Sequence, residues 1–360
     1  MKNIALVITD LSSGGAERVM SILANYLSYK GYSIEIVMLQ DDKVDYFIEK
    51  NIEITVINKF KSNRIIRFVY RLYALHKILK KKDIAIAFLW HINLYTIVAS
   101  FGLKCKVIIS DRNDPKNELK NMHKLVVYIK NNLYKVADYV VFQTKYAQMY
   151  YSEKVIQKSS IILNPILPNL KEYRSCHKKN KVVSVCRLSE QKNITMSIDA
   201  FEEFQAEYPD YCFEIYGKGE LLNELSSYVE QKNLISKIFF KGFSDNVCVE
   251  IADANIYLSS SNYEGISNSM LEAMGLGIPV VVTDCPVWGA QVIIEDGING
   301  FIVPVCDHKA MANKMKLLAR DPILSKKISE NALKISERLG IDNIGRDWEN
   351  IINKVLGNKL

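Results

Sequence analysis

Two glutamates eight residues apart, Glu264 and Glu272, bracket a glycine turn and a helix start in Glu264-Gly265-Ile266-Ser267-Asn268-Ser269-Met270-Leu271-Glu272. The stretch lies between two strand-like apolar runs, Ala254–Ser260 and Ile278–Thr283. Loops at the carboxyl ends of buried parallel strands are where open α/β sheets hold ligands. Gly265 lets the backbone approach a ligand closely, and the unpaired first amides of the following helix suit a phosphate or a hydroxyl-rich sugar. Each carboxylate can accept hydrogen bonds from sugar hydroxyls at its own place. As a pair they could also do acid–base work, but only at a separation that a sequence does not give.

Cations stand ready to complement them. Arg187 and Lys192 share the loop Cys186–Asn193 beyond another strand-like run, where a planar fork and a point charge can neutralise a diphosphate. Solvated surface charge is the plainer reading of such a pair. Gly14 and Gly15, in Ser12–Arg18 between the first strand and the first helix, would let backbone amides reach a diphosphate; a plain tight turn is the alternative. Gly217, in a G-x-G turn, and Gly242 with Phe243 also end strands, the latter two suited to holding a nucleotide base against the backbone. His91 follows a strand in Phe88–Asn93 and reads either as a site residue or as a structural histidine. Asp111, Arg112 and Asn113, at a further strand end, suit an acceptor sugar or its phosphate, or a loop-bracing ion pair.

The elements that must position these residues alternate along the chain, strand then helix, as in a mostly parallel sheet. The first series has strand runs at 4–8, 34–39, 52–57, 84–89, 107–110 and 139–142. A second begins at Val182–Cys186 and continues through Cys212–Tyr216, Ile238–Lys241, Ile256–Ser260 and Val280–Thr283. The reading is α/β: two doubly wound domains facing each other across a cleft. At 360 residues the chain can hold two such cores.

Composition removes several function classes. Seven scattered cysteines without a C-x-x-C pair argue against a disulfide framework and a zinc site, and fit a cytosolic protein. No apolar run reaches the roughly 18–20 residues that a spanning helix needs. The first turn is not a G-x-G-x-x-G fingerprint, which removes a nicotinamide enzyme. Charge is uneven: residues 1–175 carry 27 Lys and Arg against 15 Asp and Glu, and the remainder 20 against 25. Nine of the cations and no acid fall in Lys59–Lys82. There Ile65, Phe68, Val69, Leu72, Leu75 and Leu79 share a helical face flanked by Arg64, Arg67 and Arg71. That face is expected to be buried in the domain, with its basic rim against an anionic bilayer.

Taken together, the motifs resemble the retaining glycosyltransferases of the large GT-B group 4 family, especially those that build bacterial surface polysaccharides and lipid-linked oligosaccharides. The resemblance rests on Arg187 and Lys192, the G-x-G turn, Lys241-Gly242-Phe243, Tyr263–Met274, Gly277–Val281 and Gly297–Pro304. The first half adds Gly14–Val19 and Ser110–Pro115. It implies a GT-B architecture of Rossmann-like domains: an acceptor domain over 1–165, a linker over 166–180 and a donor domain over 181–340. A final helix over 341–360 would pack back on the first domain.

The resemblance also implies roles. Arg187 and Lys192 would hold the diphosphate of a UDP-sugar, and Glu272 the ribose. Glu264, with the backbone of Gly265, Ile266 and Ser267, would hold the transferred hexose or N-acetylhexosamine. Gly14 and Gly15 would approach the phosphates, and His91 would contact donor or acceptor. Val292 stands where relatives often place an acid. The chain has no D-x-D pair, so the cations are expected to replace a metal, with no other cofactor. The expected enzyme is cytoplasmic and peripheral on the inner face of the membrane, with a polyprenyl-diphosphate-linked saccharide as acceptor. Two competitors are a same-fold transferase with a soluble acceptor and a non-catalytic nucleotide or nucleic-acid binder. The second lacks the aromatic strand motifs of RNA-binding sheets, and nucleic acid is not an expected partner.

Overall fold

A computed structural model describes residues 2–12, 14–57, 63–120 and 122–357. The chain divides into two units, one of 1–165 with 341–360 and one of 166–340.

Among the described residues the first unit has a seven-stranded parallel sheet. Its strands are β1 (Asn3–Ile8), β2 (Ser33–Met38), β3 (Glu53–Val56), β4 (Ile84–Phe88), β5 (Lys106–Ser110), β6 (Tyr139–Phe142) and β7 (Ser159–Ile161), in the order β3-β2-β1-β4-β5-β6-β7. The central strands are buried almost throughout, so they read as continuous apolar runs, as parallel strands covered on both faces must. The order reverses between β1 and β4, and the crevice at their carboxyl ends is the position where such sheets bind ligands. The helix Ile341–Leu356 belongs to this unit and packs on the helix Gly15–Tyr29. Its contacts include Tyr26 Oη donating to Glu349 at 2.9 Å and the Trp348 ring beside Phe88.

The second unit carries six strands: β8 (Lys179–Val185), β9 (Cys212–Tyr216), β10 (Ile238–Gly242), β11 (Ala254–Ser259), β12 (Val280–Thr283) and β13 (Phe301–Val303). Their order is β10-β9-β8-β11-β12-β13, all parallel, with the reversal between β8 and β11. Ile166 and Leu170, in the stretch expected to be a linker, are buried here, and an added Cβ at Gly275 would meet both.

One expectation is corrected. The helix Arg64–Leu79 does not bury its whole apolar face. Leu75 and Leu79 are fully buried, whereas Ile65 is 75% exposed, Phe68 48% and Val69 59%. The helix has 16 residues and packs mainly on the ten-residue helix Trp90–Ala99. In its first turns Phe68 gains an aromatic neighbour in Tyr95, 5.1 Å away, but Ile65 and Val69 remain largely in solvent. Lys59 and Lys61 lie outside the described residues.

Candidate functional site

In the second unit the loops that follow β8 and β11 are laced into one body. The Asn262 amide donates to the Gln191 carbonyl at 2.8 Å, and Gln191 Nε2 donates to the Tyr263 carbonyl at 2.9 Å. Ser260 Oγ donates to the carbonyls of Lys192 and Asn193 at 3.0 and 2.8 Å. Asn193 turns the first loop into its helix with a left-handed φ of 45°, a conformation asparagine tolerates better than most residues.

This lacing brings the Lys192 ammonium onto the Glu264 carboxylate. Their side chains are only 18% and 20% exposed, so the pair sits at the rim of the interior. Burial pulls the Lys192 pKa down, but the Glu264 charge and hydrogen bond more than offset it and leave it above its ordinary value. Lys192 therefore stays charged at any physiological pH. Ser261 Oγ adds a long contact to the same Glu264 oxygen at 3.4 Å. Arg187 is exposed, and among the described residues its guanidinium is committed to no hydrogen bond or ion pair.

Gly217 and Gly219 hold the loop after β8 from below. Gly217 has a φ of 134°, and a Cβ there would lie 1.8 Å from the Cys186 carbonyl oxygen. At Gly219 it would lie 2.1 Å from that of Leu188. The G-x-G turn is thus a backbone-on-backbone contact that shapes the Arg187 loop. Gly242, at φ 72°, accepts from the Gly217 amide at 2.7 Å and faces open space. Phe243 is 41% exposed, with Lys218 Nζ 5.9 Å above its ring.

On the other side, Ser267 caps the helix Asn268–Gly275 by accepting from the Met270 amide at 3.4 Å. Gly265 and Ile266 are buried. Gly289 packs on them so closely that a Cβ would lie 1.8 Å from the Gly265 carbonyl oxygen. Glu272 lies in the interior at 2% exposure. Val292 is half-buried, and its carbonyl accepts from Arg338 Nη1 at 3.1 Å. Cys186 and Cys285 flank the Lys192–Glu264 pair, and burial pushes each thiol up to about 12, which makes them inert packing groups.

In the first unit the β1/β4 reversal brings Thr9 and His91 together, Oγ1 to Nε2, at 3.3 Å. Burial lowers the His91 pKa, so its imidazole is neutral at pH 7. The residue before its helix, Leu89, has a φ of 75°, a strained value for a leucine. Gly14 caps the helix Gly15–Tyr29. The Glu17 carboxylate folds against Gly14 and lies at the helix end that attracts anions.

Asp111 is consumed internally. It is 2% exposed and accepts from Lys130 Nζ at 3.1 Å, from Tyr134 Oη at 2.5 Å and from Tyr151 Oη. Arg112 and Asn113 are half-buried, with Asn113 Oδ1 accepting from the Asp114 amide at 2.9 Å.

Sequence reasoning missed Gln191, Ser260, Asn262 and Thr9, and the packing role of Gly219 and Gly289. A run of small polar residues, Ser259-Ser260-Ser261-Asn262, directly after a strand was the available signal for two of them.

Residues 168–335 match the family described as Glycosyl transferases group 1. Over 364 residues the chain is 28% identical to a Campylobacter jejuni enzyme, with 99% of each covered. That relative is named an alpha-1,4-N-acetyl-D-galactosaminyltransferase acting on GalNAc-alpha-(1->4)-GalNAc-alpha-(1->3)-diNAcBac-PP-undecaprenol. A second Campylobacter jejuni protein, N-acetylgalactosamine-N,N'-diacetylbacillosaminyl-diphospho-undecaprenol 4-alpha-N-acetylgalactosaminyltransferase, is 28% identical over 377 residues, covering 96% of this chain and 98% of the relative. Among solved structures, Anabaena HepE in complex with UDP and glucose superposes with a TM-score of 0.85 at 17% identity, covering 98% of this chain and all of that one. Likenesses of this kind, with the two parallel-sheet units, establish the GT-B fold.

Proposed function

We propose, from the match of residues 168–335 to the group 1 glycosyl transferases, that this chain moves a hexose or N-acetylhexosamine from a UDP-sugar to a saccharide on a polyprenyl diphosphate. The names of the two Campylobacter relatives support the acceptor class, and the complex of the Anabaena structure supports the donor class.

The observation that carries the reading is the Lys192–Glu264 pair at the β8/β11 reversal, with an uncommitted Arg187 on the same loop as Lys192. A UDP-sugar entering there offers each member a better partner. Lys192 turns from Glu264 to the diphosphate beside Arg187, and Glu264 is freed to accept hydrogen bonds from sugar hydroxyls. The bond from the anomeric carbon to the diphosphate oxygen breaks as the acceptor oxygen forms its bond on the same face, giving retention. The acceptor proton leaves with the diphosphate, whose growing charge the two cations neutralise. No metal ion is required in this scheme. Glu272 would take the ribose, which must reach it from the loop side because the residue is 2% exposed. Neutral His91, Arg112 and Asn113 are left for the acceptor. Gly242 and Phe243 would border the base.

The exposed first half of the helix Arg64–Leu79 supports docking on an anionic bilayer, apolar residues and arginines together. Among the described residues no helix is long and apolar enough to cross a membrane. The test is a UDP-release screen of UDP-hexoses and UDP-N-acetylhexosamines against saccharides on short polyprenyl diphosphates. Release with lipid-linked but not free saccharides supports the reading. Equal release with free saccharides would transfer it to a soluble acceptor.

A further inference from the structure

Arg112 carries a charge that the first unit leaves unanswered. Its guanidinium lies over the Phe88 ring at 4.2 Å, with the Trp348 ring 5.6 Å away. Nη1 donates to Asn164 Oδ1 at 2.9 Å, an oxygen that also accepts from Gln143 Nε2 at 2.6 Å. The other edge of the guanidinium, Nε with Nη2, is buried and has no hydrogen-bond partner among the described residues. The indole Nε1 of Trp348 is buried and unpartnered as well.

Nε and Nη2 of Arg112 and Nε1 of the neighbouring Trp348 ring are therefore three buried donors, beside one positive charge, for which the described residues supply no acceptor. The adjacent carboxylate does not serve, because Asp111 is taken up by Lys130, Tyr134 and Tyr151. Burial alone acts on Arg112 and lowers its pKa to about 9, which leaves it protonated at neutral pH. A buried cation without a counter-charge, and buried donors without acceptors, are arrangements that folded proteins avoid unless an ion or water completes them.

We propose that the Nε/Nη2 edge of Arg112 and the Nε1–H of Trp348 form a binding site for one oxyanion, a phosphate or carboxylate group. The Nε/Nη2 edge is the two-pronged face of the guanidinium, matched to two oxygens of such a group. Trp348 adds a donor to the same group. Stacking on Phe88 and the hydrogen bond to Asn164 hold the fork before the ligand arrives. The donors are buried, so only the terminal oxyanion of a ligand reaches them, and Trp348 makes the helix Ile341–Leu356 part of the site. This deepens the acceptor reading of Arg112, since the phosphate can be that of a prenyl diphosphate or free inorganic phosphate.

The test uses the full chain and thermal unfolding at constant ionic strength, with chloride as the control salt. Inorganic phosphate should raise the wild-type melting temperature more than chloride does. Arg112→Lys keeps the charge and loses the fork, and should weaken the apparent phosphate affinity about tenfold or more. Trp348→Phe keeps the ring and loses one donor, and should weaken it severalfold. A short prenyl diphosphate is the second arm. Tighter protection than by phosphate, lost in both variants, assigns the site to the substrate. Protection by inorganic phosphate alone keeps the oxyanion site and removes the acceptor role. Equal phosphate responses in wild type and both variants, or none in folded wild type, would overturn the proposal. Neither result depends on UDP release, so the transferase reading stands or falls separately.

Discussion

The Lys192 ammonium rests on the Glu264 carboxylate although 72 residues separate them in the chain. Each emerges from a strand bordering the reversal of the second sheet, and the lacing of the two loops fixes the meeting. The pair keeps two charges of opposite sign beside Arg187 without leaving either exposed and alone. It also makes their mutational effects interdependent.

Removing Glu264's charge should therefore do two things. Glu264→Gln loses the sugar contact and leaves Lys192 with a weaker partner. We expect turnover to fall on the order of 10²-fold and the donor KM to rise. Glu272→Gln should raise the donor KM and alter kcat little. Steady-state kinetics with varied UDP-sugar reads both. A Glu272 variant lower in kcat with unchanged KM would argue against ribose binding.

Glycines at backbone contacts give a sharper structural test. Gly217→Ala and Gly289→Ala each drive a Cβ to 1.8 Å from a carbonyl oxygen. Backbone must shift in both, at a cost of about 1–3 kcal/mol. Gly217→Ala should displace the Arg187 loop and weaken UDP binding, read by calorimetry. Gly242→Ala meets open space, and its cost of about 1 kcal/mol should come from its φ of 72° alone. Thermal unfolding of the three variants should rank Gly242→Ala mildest.

Stability should depend on pH through Glu118. Burial first, then the neighbouring Asp111 charge, raises its carboxyl pKa to about 7 from 4.5. A raised folded pKa means the protonated form is favoured on folding. That contribution is complete below about pH 4.5 and is lost as pH rises through 7, on the order of 2–3 kcal/mol. Glu118→Gln should thus gain stability over wild type at pH 8 and little at pH 5. Denaturant titrations at both values check it, and a variant equally destabilised at both would refute the assignment.

Liposome binding should draw on both the apolar and the basic side chains of the exposed first half of the helix Arg64–Leu79. Replacing Ile65, Phe68 and Val69 with serine removes the apolar surface. Replacing Arg64 and Arg67 with glutamine removes about 1 kcal/mol of attraction per charge on anionic lipid. Co-sedimentation should show the first variant bound only at low salt and the second insensitive to salt. Wild-type binding to neutral and anionic vesicles alike would contradict an electrostatic share.

Much of this was legible in the residues, and the failures have physical causes. The long central strands read as apolar runs because parallel strands are covered on both faces. β7 and β13, of three residues each, are too short for any pattern. The pairing of Lys192 with Glu264 was foreshadowed by their positions at strand ends. Sequence could place the G-x-G turn but not reveal that Gly217 and Gly219 pack on the Cys186 and Leu188 carbonyls. Nor could it show that Asp111 meets Lys130, Tyr134 and Tyr151, 19 to 40 residues away. In Arg64–Leu79 the 3.6-residue period announced an apolar face, but only packing decides how many turns of it find a neighbour.

The central claim is that cationic side chains, and not a metal, carry the departing diphosphate. UDP release measured in excess chelator, for wild type and Lys192→Ala side by side, tests it most directly. The account predicts undiminished turnover for wild type and a loss of about 10²–10³-fold for the variant. Full turnover in Lys192→Ala, or wild-type turnover that collapses in chelator and returns with magnesium, would contradict it.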